Sequence, residues 1–296
     1  ALPEEMAAHL AAGITTLCHA WAVARRDGRV LGFTDHDRDL SFEGITFRAG
    51  TGLDARALSQ STGLSVDNTE ALGALCDAAI SEADIAAGRY DGAGVRAWRV
   101  NWAAPAQRVL LFAGRLGEIT RNAGVFEAEL RGLAEALNQP QGDVYQRSCA
   151  AVLGDGRCRV NLGDPRYSAE RAVLAQERGQ VFTLPDLGGY PEGWFAHGRL
   201  EVLEGPGAGL VAPVRGARAA DTPGARLIEL WEGIRAPVAP GTRVRVVAGC
   251  DRSAATCREK FANFLNFRGF PHVPGDDWLV SYPVQGGAHD GGSLYS

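Results

Sequence analysis

A mainly β protein with a few short helices is the fold class that this sequence predicts, and three observations carry it. Short runs rich in Val, Ile, Thr and aromatic residues recur along the chain, and Asp-Gly or Glu-Gly pairs separate several of them. Between residues 160 and 249 the runs are evenly spaced by turns rich in Gly and Pro, as in a small barrel. At 296 residues two domains are expected rather than one. The expectation is an antiparallel β sandwich or barrel over residues 1–140 and a smaller β-barrel, framed by two cysteine pairs, over 141–278. Residues 279–296, rich in Gly, are expected to form a flexible tail.

Residues 3–12 read as a short helix, with Pro3 and two acids in its first turn and Gly13 after its end. Ile14–Ala24 and Val30–Thr34 flank Asp27-Gly28 as a hairpin, and Leu40–Phe42 and Ile45–Phe47 flank Glu43-Gly44 as a second. Residues 55–75 alternate weakly and read as further strand. Ser81-Glu-Ala-Asp84 has the form of a capping box opening a helix that ends near Gly88. Strands are expected at Val95–Trp102, Arg108–Phe112, Gly117–Arg121 and Val125–Leu130, then a helix at Leu133–Asn138. Pro140-Gln-Gly-Asp143 punctuates the boundary. Beyond it come strands at Gln180–Leu184, Trp194–Val202, Leu210–Val214, Arg226–Leu230 and Thr242–Val247. A final helix from Thr256 to Leu265 would place Phe261, Phe264 and Leu265 on one face, and Pro271 and Pro274 stop it.

Composition excludes several function classes. Hydrophobic residues at 46% and charged residues at 22% are ordinary globular values. A net charge of −5 leaves no basic excess to displace counterions from phosphates, so no specific nucleic-acid binding is expected. Of the 30 basic residues only Lys260 is a lysine, and Met6 is the sole methionine; both read as base-composition bias. No apolar run approaches membrane-spanning length, and the first residues lack a signal pattern. The expectation is a chain made in the cytosol that stays soluble. There six cysteines are metal-binding, catalytic or buried rather than cross-linked.

The cysteines divide into two kinds. Cys18, mid-strand, and Cys76, in an apolar patch, read as small buried hydrophobes. Catalysis by Cys18 with His19 is disfavoured because neighbouring strand residues point to opposite faces. Cys149 and Cys158 flank a Gly-Asp-Gly turn, Cys250 follows a strand end and Cys257 enters a helix, backbone that can wrap sulfurs around a common centre. The intervals of eight and six residues fit poorly the short knuckles of zinc sites. A larger iron–sulfur cluster tolerates wider spacing. Spacing alone leaves cluster, zinc and no metal open.

A resemblance bears on that choice. Gly249-Cys-Asp-Arg, Thr256-Cys and Phe261-Ala-Asn-Phe-Leu-Asn-Phe-Arg-Gly-Phe-Pro-His-Val-Pro-Gly275 resemble the C-terminal signature of a phage-type family of tail-tip hub proteins, found in siphophages and in gene transfer agents of alphaproteobacteria. Leu31-Gly-Phe-Thr-Asp-His-Asp-Arg-Asp-Leu40 and the Cys149…Cys158 pair also match, so the similarity spans about the whole chain. The family is similar in role to the tail-tip protein L of lambda-like phages, which carries a four-cysteine [4Fe–4S] cluster. The resemblance implies a [4Fe–4S] cluster held by Cys149, Cys158, Cys250 and Cys257, with zinc as the alternative, stapling the C-terminal domain. It also implies a homotrimer, assembled in the bacterial cytoplasm into the distal tail or baseplate of a virion or phage-like particle. Its partners there would be the distal tail protein, a large tail-tip protein for receptor binding or penetration, and a tail-associated peptidase.

Asp35-His36-Asp37-Arg38-Asp39 has a metal-like composition, yet it lacks a visible fourth ligand and reads as a polar loop or salt-bridge cluster. His197 reads as a packed barrel residue, and Phe267, Phe270 and Trp278 as core or interface. No phosphate-cradling loop, Gly-x-Ser-x-Gly elbow or His-Glu-x-x-His occurs, so no catalytic residue is assigned and no enzyme is expected. The alternatives carried forward are a metal-dependent enzyme, using Asp35, His36 and Asp37 or a cluster with a labile iron, and a zinc-stapled binding module.

Overall fold

The computed structural model describes residues 3–49, 73–74, 80–122, 125–132 and 142–273. The chain divides into two compact units, residues 1–140 and 141–296. Cys76, the strand-like stretch 55–75 apart from 73–74, the helix expected at 133–138, Trp278 and the tail lie outside the described residues.

In the first unit α1 (Glu4–Ala11) begins after Pro3 and carries Glu4 and Glu5 in its first turn, where carboxylates face the positive end of the helix dipole. β1 (Leu17–Ala24) and β2 (Val30–Thr34) form the first hairpin. β3 (Leu40–Phe42) and β4 (Ile45–Arg48) form the second, turning through Glu43 and Gly44 with φ of 51° and 72°. Two consecutive positive φ values match the twist of a tight hairpin. β5 (Gly73–Ala74), α2 (Glu82–Ala86), β6 (Gly94–Asn101), β7 (Arg108–Asn122) and β8 (Val125–Gly132) complete the unit. Ser81 caps α2, its hydroxyl accepting the Asp84 N–H at 3.1 Å.

The strand order is β3-β4-β2-β1-β6-β7-β8-β5. Pairing is antiparallel except between β2 and β4, which run parallel with Gly32 opposite Phe47. Where two strands were expected at 108–112 and 117–121, β7 is continuous, and a register shift against β8 between Leu116 and Ile119 absorbs the break. One face packs Phe42 on Phe47 at 4.1 Å with both edge-on to Trp98, and the other packs Trp21, Phe33, Tyr90 and Val95. Arg25, its side chain 3% exposed, donates to Asp27 and, at 2.9 Å, to Asp84, tying the first hairpin to α2. Burial works against its charge, but those carboxylates and Tyr90 outweigh it and hold its pKa above the ordinary arginine value.

The second unit contains β9 (Ser168–Ala172), β10 (Ala175–Glu177), β11 (Val181–Pro185), β12 (Arg199–Val202), β13 (Val211–Ala219), β14 (Ala225–Leu230) and β15 (Arg243–Val247), paired antiparallel in the order β10-β11-β14-β13-β12-β15-β9. Alternate residues of β11 and β12 point inward, so Phe182, Leu184, Leu200 and Val202 join Phe195, Ile228 and Leu230 in a fully buried core. β9 and β10 follow one another in sequence yet form opposite edges of the sheet. At the corner between them the Val173 N–H goes to the Thr242 carbonyl and the Leu174 N–H to that of Thr183, so each bonds to its own flank. Among the described residues no ladder joins the two edges, and each unit is an open sheet rather than a closed barrel. This corrects the barrels expected from the sequence.

Two more differences have local causes. β9 and β10 escaped the sequence reading because Ser-Ala-Glu-Arg-Ala and Ala-Gln-Glu lack β-branched and aromatic residues. β9 is held instead by the β15 ladder and by Glu170, which pairs across it with Arg243 and, at 2.7 Å, with Arg245. The final helix is short: α3 (Ala254–Glu259) ends at Lys260, Ala262 turns left-handed with φ of 47°, and a 3₁₀ turn follows at Phe264–Asn266. Phe261 is therefore buried while Leu265 is 98% exposed, not on one shared apolar face.

Candidate metal centre

Four separate segments of the second unit carry cysteines, and hydrogen bonds between those segments set where the sulfurs lie. The first is strung between two distant stretches. The Cys149 N–H donates to the Arg252 carbonyl at 2.9 Å, the Ala150 N–H to that of Arg268 at 3.0 Å, and the Phe270 N–H to that of Gln146 at 2.9 Å. The Arg268 N–H points at Cys149 Sγ, 3.3 Å away. Gly269 permits this approach, because a Cβ there would stand 2.7 Å from both the Arg147 and Ser148 carbonyl oxygens.

Cys158 is placed by a carboxylate and a carboxamide. Asp155 accepts the N–H groups of Val152 and Arg157 at 2.9 Å and of Cys158 at 2.6 Å, which closes the Gly-Asp-Gly turn. These bonds, the one from Cys158 foremost, hold the Asp155 carboxyl below its usual range. The Asn263 side-chain N–H₂ donates to the Cys158 carbonyl at 2.6 Å and lies 3.7 Å from its sulfur. The Asn263 backbone N–H donates to the Cys257 carbonyl at 2.9 Å, so one residue joins the Cys158 and Cys257 segments.

Cys250 leaves the end of β15 through Gly249. A Cβ on Gly249 would fall 1.7 Å from the Ala196 carbonyl oxygen and 2.3 Å from the Gly198 nitrogen, so only glycine lets the strand end press on the 193–198 turn. The Arg252 N–H donates to Cys250 Sγ at 3.3 Å. Cys257 lies buried in α3, whose first turn is capped by Ser253 accepting from the Thr256 N–H at 3.1 Å. Beneath the cysteines, Val160, Tyr167, Ala248 and Phe261 form a small apolar core against which Cys158 and Cys250 pack. Arg159, Arg252 and Ala262, each within five residues of one of these cysteines, have φ of 63°, 63° and 47°. Backbone of that kind persists where surrounding contacts over-determine the geometry.

All five described cysteines are free thiols. Burial first, then the charges of Cys149, Cys250 and Cys158, push the Cys257 thiol up to about 11. Burial also raises Cys250, and Asp251, Cys149 and Cys158 add to it against the Arg252 N–H. Among the described residues, no three His, Cys, Asp or Glu side chains are arranged as ligands of one ion. Backbone or side-chain N–H donors face three of the four sulfurs, those of Cys149, Cys158 and Cys250.

The other sequence candidates are dispersed. Asp35 accepts the His19 N–H at 2.6 Å and pairs with His19 Nδ1 at 2.8 Å. Burial alone would raise the Asp35 carboxyl, but these bonds prevail and hold it below its usual range. His36 turns instead to Asp37 at 3.0 Å and stacks on Trp102 at 4.9 Å, while Asp39 accepts the Ala49 N–H. The segment 35–39 is a bend between β2 and β3, so its carboxylates share no strand face. Cys18 is buried, donates to the Val100 carbonyl at 3.6 Å and is pushed up to about 11, chiefly by burial. His197, expected to be packed, is an exposed turn residue with φ of 62°. Among the described residues no helix is long and apolar enough to cross a membrane.

Residues 3–161 match the family described as baseplate hub protein, N-terminal attachment domain. The chain belongs to this baseplate hub family. Residues 193–277, which include Cys250 and Cys257, match a second family, phage conserved hypothetical protein BR0599. A solved chain from the virion of a native gene transfer agent particle is 57% identical, with a TM-score of 0.87, covering 99% of this chain and 100% of that one. A Bacillus subtilis inhibitor of motility, at 9% identity and a TM-score of 0.15, carries no argument. No curated protein matches the chain.

Sequence reasoning about this hub-family chain found the cysteines but passed over the residues that place them: Asp155, Asn263, Gly249 and Gly269. Asp155, in Gly-Asp-Gly, had a visible signal, since Asp in such a turn accepts backbone N–H groups ahead of it. Nothing local marks Asn263, whose partners are far off in sequence. Gly249→Ala is expected to cost about 3 kcal/mol, the upper end for overpacking, because a clash with backbone cannot relax by rotamer change. Chemical denaturation checks this, and an unchanged midpoint would show that the 193–198 turn can move away. The depressed Asp35 carboxyl contributes stability above the unfolded pKa of about 3.9 and loses it as the pH falls through the lower folded value. Asp35→Asn should therefore be less stable than the parent at neutral pH, with a gap that narrows below about pH 4. Denaturation across that range tests it, and a gap independent of pH would rule out the carboxylate charge as the cause.

Proposed function

We propose that the chain is a structural hub of the distal tail or baseplate of a phage-like particle of the gene transfer agent kind. In this reading it forms a homotrimer that joins the ring of distal tail proteins to the tail tip, with a large tail-tip protein and a tail-associated peptidase as further neighbours. What supports the role is the similarity at 57% identity, over essentially both full lengths, to a chain of a gene transfer agent virion. Broad sheets suit ring-building through edges and flat faces. The experiment is to label the chain and locate it in purified particles by electron microscopy. Label at the distal end of the tail is expected; label on the head, or none on particles, would overturn the role.

The cofactor proposed is a [4Fe–4S] cluster held by Cys149, Cys158, Cys250 and Cys257. Hydrogen bonds join the four cysteine-bearing segments, and N–H donors face three of the sulfurs, which supports it. A cluster supplies iron–thiolate bonds, and this chain's part is to present four thiolates and keep the segments that bear them in register. Tying the two cysteine pairs together across the intervening sheet constrains the unfolded chain by about 4 kcal/mol in the loop-closure picture. That is a structural staple for a domain that bears load when a tail engages a cell. Zinc is the alternative, disfavoured because intervals of eight and six residues exceed the short knuckles of zinc sites. An enzyme built on Asp35, His36 and Asp37 is disfavoured because Asp35 is committed to His19 and His36 to Asp37 and Trp102.

Anaerobically purified protein should show a broad visible absorption that dithionite bleaches, with iron and acid-labile sulfide in equal amounts. Replacing any one of the four cysteines by Ser should abolish or strongly reduce both. A colourless protein with one zinc would replace the cluster reading with the stapled binding module.

A further inference from the structure

The chain has 30 basic residues, and every one except Lys260 is an arginine. Base-composition bias explains the arginines but not why a single lysine stands where it does. Lys260 caps the C-terminal end of α3, three residues after Cys257. Its Nζ donates to the Trp194 carbonyl at 2.5 Å and to the Gly249 carbonyl at 2.8 Å. The ammonium also lies 4.5 Å from the centre of the Trp194 ring and 5.5 Å from that of Phe261. Trp194 and Gly249 are themselves linked, the Gly249 N–H donating to the Trp194 carbonyl at 3.2 Å. Lys260 thus closes a three-way junction in which Gly249 leads directly into Cys250. Gly249 runs close beside the 193–198 turn, since a Cβ there would stand 1.7 Å from the Ala196 carbonyl oxygen.

The chemistry of this seat explains the choice of lysine. Two convergent carbonyls and two aromatic rings form a small, round receptor for a compact ammonium. A guanidinium is a flat fork whose donors are fixed in one plane and match carboxylate or phosphate rather than a pair of converging carbonyls. The Nζ bond to the carbonyl of Gly249, the residue before Cys250, puts the positive charge beside the Cys250 segment. Half-burial lowers the pKa of Lys260, while the charges of Cys250 and Asp251 act in the opposite direction.

We propose that Lys260 is a positioning residue of the four-cysteine centre: its ammonium locks the Gly249–Cys250 junction to the helix that carries Cys257 and lends a compensating positive charge to the thiolates. The locking part stands on the protein alone, and the charge part rests on the cluster reading above. Lys260→Met keeps the stem and removes the charge, and Lys260→Arg keeps the charge and changes the shape.

The test has two arms in the full-length chain. In the first, iron is withdrawn from the loaded protein by a chelator and the midpoint potential is measured. Losing charge-assisted hydrogen bonds should speed iron loss by roughly tenfold or more in both variants. The potential should fall in Lys260→Met, where a nearby positive charge no longer favours the reduced state, and stay near the parent value in Lys260→Arg. Parent-like iron loss in both variants would overturn the locking, and an unchanged potential in Lys260→Met would overturn the charge role. In the second arm, hydrogen exchange of metal-free protein is followed at residues 249–260. Faster exchange in both variants, by roughly tenfold, is expected from loss of the same bonds, and parent-like exchange would overturn the locking. If the parent takes up no iron and sulfide, the cluster and the charge role fall together, and the second arm still decides the locking.

Discussion

The second unit depends on an exchange of backbone hydrogen bonds between stretches far apart in sequence. The 146–150 segment bonds to Arg252 on one side and to Arg268 and Phe270 on the other. Each such bond is worth about 1 kcal/mol net, too little to gather the chain alone. What makes them collective is that they converge where Gly249 and Gly269 allow backbones to touch, so no segment can shift without breaking bonds in the others. The cysteines sit at the crossings. Sulfur placement is thus a by-product of a backbone knot, not of the cysteine side chains seeking one another.

That arrangement is rigid in a particular way. Asp155 organises its turn before any metal is considered, and Asn263 spans two cysteine segments with its backbone and its side chain. N–H groups already face three of the sulfurs, so thiolate charge would meet preset donors rather than having to reorganise them. The left-handed residues Arg159, Arg252 and Ala262 carry local strain that this network holds in place. The positions of the cysteine segments are thus fixed by the chain around them.

The two units meet different demands. The first is a broad sheet whose mixed pairing, with β2 and β4 parallel, lets a hairpin fold back onto the edge of β2. The second is a smaller sheet interposed between the two cysteine pairs, whose two edge strands are consecutive in the chain. Membership of a baseplate hub family accords with both, since repeated assembly needs faces and edges that are stiff yet available.

Much of this was legible in the residues. Period-two alternation and paired Asp-Gly and Glu-Gly turns specify strands and hairpins locally, and the Glu43-Gly44 turn took the conformation its sequence favours. The Ser81 cap was readable for the same reason: its partner is three residues away. Cysteine identity and spacing singled out Cys149, Cys158, Cys250 and Cys257 but left cluster, zinc and no metal open. Closure of the sheets was not readable, since Val173 and Leu174 settle it through partners at Thr242 and Thr183. The early end of α3 was not readable either, because apolar periodicity continues through Leu265 while the Lys260 ammonium is held by carbonyls of other elements. The sequence by itself determined most of the strands, the tight hairpins and the Ser81 cap, because those properties are local. Only the tertiary structure decided which segments meet, because that rests on hydrogen bonds and close approaches between residues that no local pattern links.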